Sequence, residues 1–300
     1  MEKFFIVDKR WENIRLDKFL SENIKTISRS KIHKLIEEGA VKINEQVKKP
    51  SYRLKANEKI SILLPLPKIE YQLKPFKCDI KIIYEDDDII VVDKPSGLSV
   101  HPPNPNMHQS LINALVSMGK DLSTINPQRA GVVHRLDKET TGVMVLAKNN
   151  FSHLNLIKQF QKRLVKKTYL AICWGNFIKG NVIVNLPICR DKKNRLKMKI
   201  GFINAKEAYT SINVIENLKD STFLSITPFT GRMHQIRVHL KFLGYPIVGD
   251  KKYGIKDGYD YLFLHSHKLG FMHPTKENFI EFSSPMPKIF ENFIKMHKSI

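Results

Sequence analysis

Prolines interrupt the chain near residue 70 and divide it into a short part and a long part. Leu64–Pro67 contains two prolines, and Pro75 follows shortly after. Proline lacks an N–H group and has a fixed φ, so this stretch fits neither a helix interior nor a central strand. We therefore predict a first domain of residues 1–68, a linker of 69–75 and a second domain of 76–300. A chain of 300 residues is long enough for each domain to have its own core.

The first domain has the apolar spacing of two short helices followed by strands. Its apolar residues recur at intervals of three and four: Leu16, Phe19, Leu20 and Ile24, then Ile32, Leu35 and Ile36. Ser28 is the candidate N-cap of the second helix, and Gly39 is the residue at which that helix stops. Apolar and polar residues alternate around 41–43 and 60–62, which indicates short strands. The pattern predicts an αα-plus-hairpin module.

The second domain contains more strand-like than helix-like segments. The strand-like runs are Ile80–Tyr84, Ile89–Val92, Gly131–Val133, Val143–Leu146, Tyr169–Cys173, Phe223–Thr227 and Phe279–Phe282. The helix-like runs are Ser110–Met118, Ser152–Gln161 and His234–Phe242. Because strands and helices do not alternate regularly, we predict an α+β fold with a mixed, largely antiparallel sheet.

Basic residues outnumber acidic ones, and the excess is clustered. The formal net charge is +21. Residues 158–199 hold twelve Lys and Arg against one acid, and residues 14–63 hold twelve against six. A lysine-rich composition without a binding role would spread evenly along the chain. The clustering therefore favours a polyanionic partner, with nucleic acid ahead of an anionic membrane.

The motifs that the chain lacks exclude several reaction classes. GxxxxGK[ST], GxGxxG and HExxH are absent, so phosphoryl transfer, dinucleotide chemistry and zinc hydrolysis have no support. The three cysteines form no CxxC pair, and His265 and His267 lack nearby acidic or cysteine ligands, so we predict neither a disulfide nor a metal site. The chain has no long apolar run, and we expect a cytoplasmic protein with no membrane partner.

Three polar segments offer groups for chemistry. The loop at 131–142 carries Asp137, which either acts in catalysis or only accepts backbone hydrogen bonds in a hairpin turn. Arg232 and Arg237 lie in a basic segment that Gly231 opens and that continues as an apparent helix. One guanidinium would orient Asp137 and the other would grip RNA; the alternative is a solvated basic helix. Tyr169 lies on a basic strand and either stacks on a nucleobase or packs in the core.

Together these segments resemble the RluA-type family of pseudouridine synthases. The resemblance rests on four segments in the same order: Asp86–Pro102, Arg129–Gly142, Lys167–Tyr169 and Thr230–His239. Within that family the chain is most similar to the RluD-like branch, which modifies large-subunit ribosomal RNA. The first domain resembles the S4-type (alpha-L) RNA-binding domain in three segments: Arg15–Leu20, Ser28–Lys31 and Val41–Asn44.

The resemblance implies an isomerase that converts uridine to pseudouridine in structured RNA without a cofactor. It assigns Asp137 as the catalytic carboxylate, Arg237 as its partner with Arg232 as second choice, and Tyr169 as the ring that stacks on the flipped base. The residues that it implies for RNA contact are His134, Arg135, Arg232 and Gln235, together with Arg15, Arg29, Lys31, Lys34 and Arg53 in the first domain.

The resemblance also implies the partners. The expected substrate is 23S-type ribosomal RNA in the pre-ribosomal large subunit, with transfer RNA as the second candidate. One alternative is a non-catalytic RNA-binding or ribosome-assembly protein, against which the retention of Asp137, Tyr169 and Arg237 argues. Another is a hydrolytic RNA glycosidase, which would need a second acid and a water site for which the sequence offers no candidate pair.

Overall fold

The computed structural model describes residues 2–24, 27, 29–63, 73–104, 107–177 and 180–298. Contacts divide the chain into two compact units, Met1–Tyr71 and Gln72–Ile300. The predicted N-cap Ser28 and residues 69–72 of the predicted linker lie outside the described residues. The predicted domain bounds at 68 and 76 therefore stay predictions.

The first unit is a three-stranded antiparallel sheet that shares a core with two helices. Its elements are β1 (Glu2–Ile6), α1 (Leu16–Asn23), α2 (Arg29–Glu37), β2 (Val41–Ile43) and β3 (Lys59–Leu63). The seven apolar residues at helical spacing are all buried. Gly39 ends α2 by donating its N–H to the carbonyl of Ile36, as predicted. The αα-plus-hairpin module is confirmed, and β1 is a strand that the sequence did not predict.

The second unit is built on a nine-stranded mixed sheet. The described strands of this unit are β4 (Lys81–Glu85), β5 (Ile89–Lys94), β6 (Thr141–Ala147), β7 (Lys166–Trp174), β8 (Asn181–Asn185), β9 (Ile188–Arg190), β10 (Met198–Ile200), β11 (Tyr209–Asn217), β12 (Ser221–Pro228), β13 (Leu264–Met272) and β14 (Phe279–Ser283). The strands β9 and β10 form a separate two-stranded sheet, and the other nine form the large sheet. The helices are α3 (Leu111–Ser117), α4 (Asn150–Gln161), α5 (Gln235–Phe242) and α6 (Lys288–Met296).

The strand order across this sheet is β4-β5-β6-β13-β7-β12-β11-β8, and β14 also pairs with β13. Neighbouring strands are antiparallel except β6 and β13, which run parallel. This confirms the predicted α+β fold with a mixed, largely antiparallel sheet. None of the described helices is long and apolar enough to cross a bilayer.

The strands β5 and β6 are buried on both faces. Ile90 and Val92 belong to the core cluster that contains the residues of α3, whereas Ile89 and Val91 pack in the cluster that contains Leu156 of α4. Burial on both faces explains why these strands appear in the sequence as continuous apolar runs. The loop that precedes β6 is therefore held by a rigid part of the unit.

The predicted strand Gly131–Val133 was wrong. Val132 makes a single bridge to Leu146, and the chain then leaves the sheet to form the loop before β6. The other predicted strands and all three predicted helices of this unit are present, with slightly shifted bounds. The strands β8 to β11 and β13, which mix polar and apolar residues, were not predicted from the sequence, and neither was the amphipathic helix α6.

Candidate active site

Seven of the predicted site residues line one cavity in the second unit. The cavity has a volume of about 520 Å³ and lies between the loop before β6, the strand β7 and the segment that leads into α5. The seven are His134, Arg135, Asp137, Tyr169, Arg232, Gln235 and Arg237. The fold thus brings together three segments that are far apart in the sequence.

The loop that carries Asp137 is anchored through its backbone. Lys94, which is fully buried at the end of β5, donates from Nζ to the carbonyl of Lys138 at 3.0 Å and to two further carbonyls. Ser96 Oγ donates to the carbonyl of Glu139 at 3.0 Å. Burial lowers the pKa of Lys94 to about 7, and the charges of Asp137 and Glu139 oppose this fall. Sequence analysis gave Lys94 no role, because its contact with the loop spans 44 positions.

A close approach of β13 supports the same loop from the other side of β6. Thr141 and Gly142 pair in parallel register with His265 and Ser266 of β13. Gly142 has φ +110°, and a Cβ atom at this position would collide with the carbonyl oxygen of Ser266. Glycine is therefore required for the start of β6 to lie against β13.

Arg237 holds one of the two oxygens of Asp137. Its Nη1 donates to Asp137 Oδ2 at 3.0 Å. The two oxygens of Asp250 accept from the rest of the guanidinium, from Nε at 2.7 Å and from Nη2 at 2.6 Å. Burial works against the charge of Arg237, but the hydrogen bonds and charges of Asp250 and Asp137 outweigh it and raise its pKa above the usual value. Arg237 is thus a fixed cation that presents one N–H group to Asp137.

Asp250 is a site residue that sequence analysis missed. It is 1% exposed, and its Oδ1 also accepts from the backbone N–H groups of Lys252 at 2.9 Å and Tyr253 at 3.0 Å. Burial opposes its charge, but the hydrogen bonds from Arg237 outweigh that effect and lower its pKa. Its only signal was a lone acid after an apolar run, and no helical or strand period links it to Arg237, 13 positions away.

The second oxygen of Asp137 faces the cavity. His234 Nε2 lies 3.8 Å from Asp137 Oδ1, which is longer than a hydrogen bond. Among the described residues, no donor lies within hydrogen-bond distance of this oxygen. His234 is held on its other side by Tyr253, whose Oη lies 2.8 Å from Nδ1. Asp137 is therefore oriented through Oδ2 and available through Oδ1.

Arg232 does not compete with Arg237 for Asp137. Its Nε donates instead to the carbonyl of Glu207 at 2.8 Å. The pairing that the sequence left open is thus made by Arg237. Arg135, next to Asp137 in the chain, is exposed at the cavity. Arg135 and Arg232 stay candidates for RNA contact.

The predicted RNA contact of Gln235 does not fit its placement. The side chain is 4% exposed. Its Oε1 accepts from Thr230 Oγ1 and from the N–H of Arg232, and its Nε2 donates to Thr210 Oγ1 and to the carbonyl of Tyr209. These four hydrogen bonds use both donors and both acceptor positions of the amide. Gln235 instead shapes the turn that leads into α5.

His134 is also engaged by the protein. Its Nε2 accepts from the N–H of Val145 at 3.1 Å, and its ring stacks on Phe160 at 4.7 Å. Burial, followed by the charge of Lys167, lowers the pKa of His134 to about 3, so the ring is neutral. It contributes an apolar wall to the cavity and ties the loop to β6, and its predicted contact with RNA stays a prediction.

Tyr169 offers the cavity a neutral phenol. Burial, with a smaller contribution from the charge of Asp137, raises its pKa to about 12. The side chain lies on β7, between β13 and β12, and its position is therefore fixed by pairing on both sides. The ring is half-buried and lines the cavity with Asp137.

The predicted RNA contacts of the first unit fall into two groups. Arg15 and Arg29 both contact the buried Asp17, at 3.0 Å and 2.9 Å, yet their side chains are 45% and 58% exposed. Arg53 is joined to Arg15 by a β-bridge. These three arginines therefore form one basic cluster with N–H groups that face solvent.

The other group consists of two lysines on α2. Lys31 and Lys34 are both exposed. Lys34 lies 3.5 Å from Glu38, one helical turn later. An exposed ion pair of this kind contributes little to stability, so it leaves the ammonium group available for another partner.

A separate acidic cluster has the composition of a metal site. Asp86, Asp88 and His273 place one ligand atom each within 4.8 Å of one another. Both oxygens of Asp86 already accept hydrogen bonds, from backbone N–H groups, Tyr84, His273 and Lys276. Both oxygens of Asp88 also accept, from the side chains of Asn149, Ser152 and Thr275. Protein donors thus occupy the positions that a metal ion would need.

Two family models match the chain. The model described as RNA pseudouridylate synthase matches residues 88–242, which is more than half of the chain, and the model described as S4 domain matches residues 14–60. Asp137, Tyr169 and Arg237 lie inside the first match.

Similar proteins span nearly the whole chain. An uncharacterized RNA pseudouridine synthase of Aquifex aeolicus is 41% identical over 295 residues, which cover 94% of this chain and 93% of its own. Ribosomal large subunit pseudouridine synthase D of Neisseria meningitidis serogroup B is 35% identical over 91% of this chain and 76% of its own. The solved structure of human RNA pseudouridylate synthase domain containing 1 has a TM-score of 0.58 at 27% identity, over 69% of this chain and 83% of that one. The chain therefore belongs to the RNA pseudouridylate synthase family, a family of isomerases, and its first unit contains an S4 domain.

Proposed function

We propose that this isomerase converts uridine to pseudouridine in large-subunit ribosomal RNA, with Asp137 as its catalytic carboxylate. The observation that carries the proposal is the placement of Asp137, with one oxygen held by Arg237 and the other directed into a cavity of about 520 Å³. The relatives from Neisseria meningitidis and Nitrosomonas europaea are named large-subunit synthase D, and one from Vibrio parahaemolyticus is named synthase C. These names support the choice of substrate.

The reaction breaks the bond between ribose C1′ and uracil N1 and then joins C1′ to C5. C5 loses one proton and N1 gains one, so substrate and product contain the same atoms and the balance needs no cofactor. Cleavage leaves positive charge on the ribose, which a carboxylate stabilises or bonds, as in glycoside hydrolysis. In this proposal Oδ1 of Asp137 faces the ribose, while Arg237 fixes the carboxylate through Oδ2.

Tyr169 is proposed to stack on the uracil and to assist the transfer of the C5 proton. Its raised pKa keeps the phenol protonated at neutral pH, so it would pass the C5 proton on to N1 by donating its own hydrogen as it accepts that proton. The uridine must first leave its helical stack, which costs a few kcal/mol in a duplex and less in a loop. We therefore expect the target to lie in a stem-loop.

RNA is proposed to be held on both units. Arg135 and Arg232 border the cavity, and the first unit contributes the arginine cluster together with Lys31 and Lys34. Such contacts to phosphates give affinity with little sequence information. The pre-ribosomal large subunit is the proposed carrier of the target, transfer RNA is the second candidate, and the cytoplasm is the proposed location.

A non-catalytic RNA-binding role is not favoured. Family membership and the pairing of Asp137 with Arg237 both support an enzyme. Burying Arg237 and Asp250 costs desolvation energy, which gripping RNA phosphates at the surface does not require. The pairing serves instead to orient one carboxylate.

The direct test is to incubate the protein with in vitro transcribed large-subunit ribosomal RNA and to map pseudouridine by carbodiimide-dependent primer-extension stops. We expect stops with the wild-type protein and none with Asp137→Asn, whose single-turnover rate should fall by roughly 10³-fold or more. RNA affinity of the variant should be nearly unchanged. An active Asp137→Asn protein would remove the catalytic assignment, and wild-type product on transfer RNA alone would replace the proposed substrate.

A further inference from the structure

Two polar atoms in the cavity face each other without touching. Asp137 Oδ1 and His234 Nε2 are 3.8 Å apart, and neither has a hydrogen-bond partner within the part of the chain that the structure describes. The side chain of His234 is 8% exposed. Its backbone has φ +56°, a left-handed conformation that is uncommon for a residue other than glycine. The fold therefore holds this imidazole in place at some expense of backbone strain.

Tyr253 determines which nitrogen of His234 carries the proton. The N–H of Met198 donates to Tyr253 Oη at 2.7 Å, which occupies one lone pair of that oxygen. Among the described residues, His234 Nδ1, 2.8 Å away, is the one acceptor within hydrogen-bond distance of the Tyr253 hydroxyl, so we assign the hydroxyl hydrogen to that contact. With Nδ1 as an acceptor, a neutral imidazole has its hydrogen on Nε2. Nε2 is thus a donor aimed at the cavity.

Burial is the main reason that the His234 ring is neutral. Burial lowers its pKa most. Arg237 and Lys252 lower it as well, against the opposing charges of Asp137 and Asp250. At pH 7 the gap therefore has an N–H donor on one side and a carboxylate acceptor on the other.

A gap of this kind fits a group that both accepts and donates a hydrogen bond, and a hydroxyl is the simplest such group. An oxygen placed about 2 Å to the side of the line that joins the two atoms lies about 2.8 Å, a hydrogen-bond distance, from each of them. In an internal nucleotide of RNA the 3′ and 5′ oxygens are esterified. The ribose consequently has one hydroxyl, at the 2′ position, and it is both donor and acceptor.

We propose that His234 Nε2 and Asp137 Oδ1 bind the ribose 2′-hydroxyl of the target uridine, which accepts from His234 and donates to Asp137. This inference rests on the proposed function and adds His234 as a residue that recognises the ribose through its 2′-hydroxyl. The hydroxyl is attached to C2′, the carbon next to C1′, so holding it places C1′ beside the catalytic carboxylate. His234 is then a substrate-binding residue, and Tyr253 is a positioning residue that acts through it.

The test is a double-mutant cycle between the protein and the sugar. A stem-loop RNA that contains the mapped target is made with either uridine or 2′-deoxyuridine at that position, and single-turnover rates and equilibrium affinities are measured with wild-type protein and with His234→Ala. We expect His234→Ala to slow the reaction of the all-ribose RNA roughly 10-fold, the worth of one hydrogen bond. The 2′-deoxy change should slow the wild-type protein but add little in His234→Ala.

Two further variants separate binding from folding. His234→Gln keeps an N–H donor near the position of Nε2 and should recover part of the discrimination against 2′-deoxyuridine. Tyr253→Phe frees the imidazole to carry its proton on Nδ1, and should lose less discrimination than His234→Ala. His108→Ala, a histidine that is not part of the cavity wall, is the control and should behave as wild type. Thermal unfolding of each variant checks that it is folded.

The outcomes are distinct. If 2′-deoxyuridine lowers the rate and the affinity by the same factors in the wild-type and His234→Ala proteins, the 2′-hydroxyl and the His234 side chain act independently. The inference is then wrong. If the wild-type protein makes no pseudouridine in the all-ribose RNA, the proposed function itself fails and the inference falls with it. Discrimination that is lost in His234→Ala and partly regained in His234→Gln supports the bridge.

Discussion

Two acidic clusters of the second unit have similar compositions but differ in whether all their carboxylate oxygens accept hydrogen bonds from the protein. In the Asp86–Asp88–His273 cluster, every carboxylate oxygen accepts from a protein donor. In the Asp137–Arg237–Asp250 cluster, Asp250 is equally saturated, but one oxygen of Asp137 is not. Since buried polar groups are normally paired, an unpaired acceptor at a cavity marks the place where a substrate completes the hydrogen bonding. The hydrogen bonding of the carboxylate oxygens, more than the composition, distinguishes the first cluster from the second, which is proposed to be catalytic.

The largest expected effect follows from removing the cation of the catalytic cluster. Arg237→Met leaves the buried Asp250 without its partner, and we expect a loss of about 3–5 kcal/mol in the free energy of unfolding, together with loss of activity. The double variant Arg237→Met/Asp250→Asn removes the stranded charge and should regain most of the stability but none of the activity. Urea denaturation and the single-turnover assay measure the two effects. An active double variant would show that orientation of Asp137 does not depend on Arg237.

A smaller effect is expected in the saturated cluster. Burial opposes ionisation of Asp86, but hydrogen bonds from Lys276 and from two backbone N–H groups outweigh it and lower its pKa well below 3.8. Its stabilising contribution is therefore complete above about pH 5, where the unfolded carboxyl is also ionised, and is lost as the pH falls through the lowered pKa of the folded state. Asp86→Asn should lose about 1–3 kcal/mol of unfolding free energy at pH 7.

Measuring the stability of both proteins over a range of pH tests the role of Asp86 more directly. The difference in unfolding free energy between wild type and Asp86→Asn should shrink as the pH is lowered below 4, because the unfolded wild-type chain then binds a proton at this carboxylate that the folded protein does not yet bind. Activity per folded molecule should stay unchanged. A loss of activity without a loss of stability would contradict the division between a structural and a catalytic cluster.

The smallest expected effect is that of divalent cations. Because the oxygens of Asp86 and Asp88 already accept from protein donors, Mg²⁺, Mn²⁺ or Zn²⁺ should not raise the unfolding temperature of the free protein, and EDTA should not lower it. Differential scanning calorimetry of wild type beside Asp88→Asn tests this. A cation-dependent rise in wild type that disappears in the variant would identify a metal site.

The sequence predicted those helices and strands whose own pattern of apolar residues identifies them. The buried strands β5 and β6 appear as apolar runs, and the helices of the first unit appear through their spacing. The strand β13 escaped prediction because its residues include two histidines and a lysine, and its place between β6 and β7 depends on partners over 90 positions away.

In the site, too, some residues could be identified from the sequence and others depend on tertiary contacts. Asp137, Tyr169 and Arg237 were identified through a family resemblance, and the structure places all three at one cavity. The supporting groups Asp250 and Lys94 could not be identified, because each acts through a tertiary contact that no periodicity reports. The RNA contact of Gln235 stays a prediction, and the sequence could not show that four protein groups already bond to its amide.

The parallel pairing of β6 with β13 also has a consequence for synthesis of the protein. Thr141 and His265 are 124 positions apart, so a ribosome that adds about 5–20 residues per second completes this contact many seconds after β6 has emerged. Until then, the edges of β6 and β7 that β13 will occupy are open to other strands. The first unit, whose core closes within residues 7–62, does not wait for this step. The nascent chain thus acquires its S4 domain well before its catalytic sheet is closed.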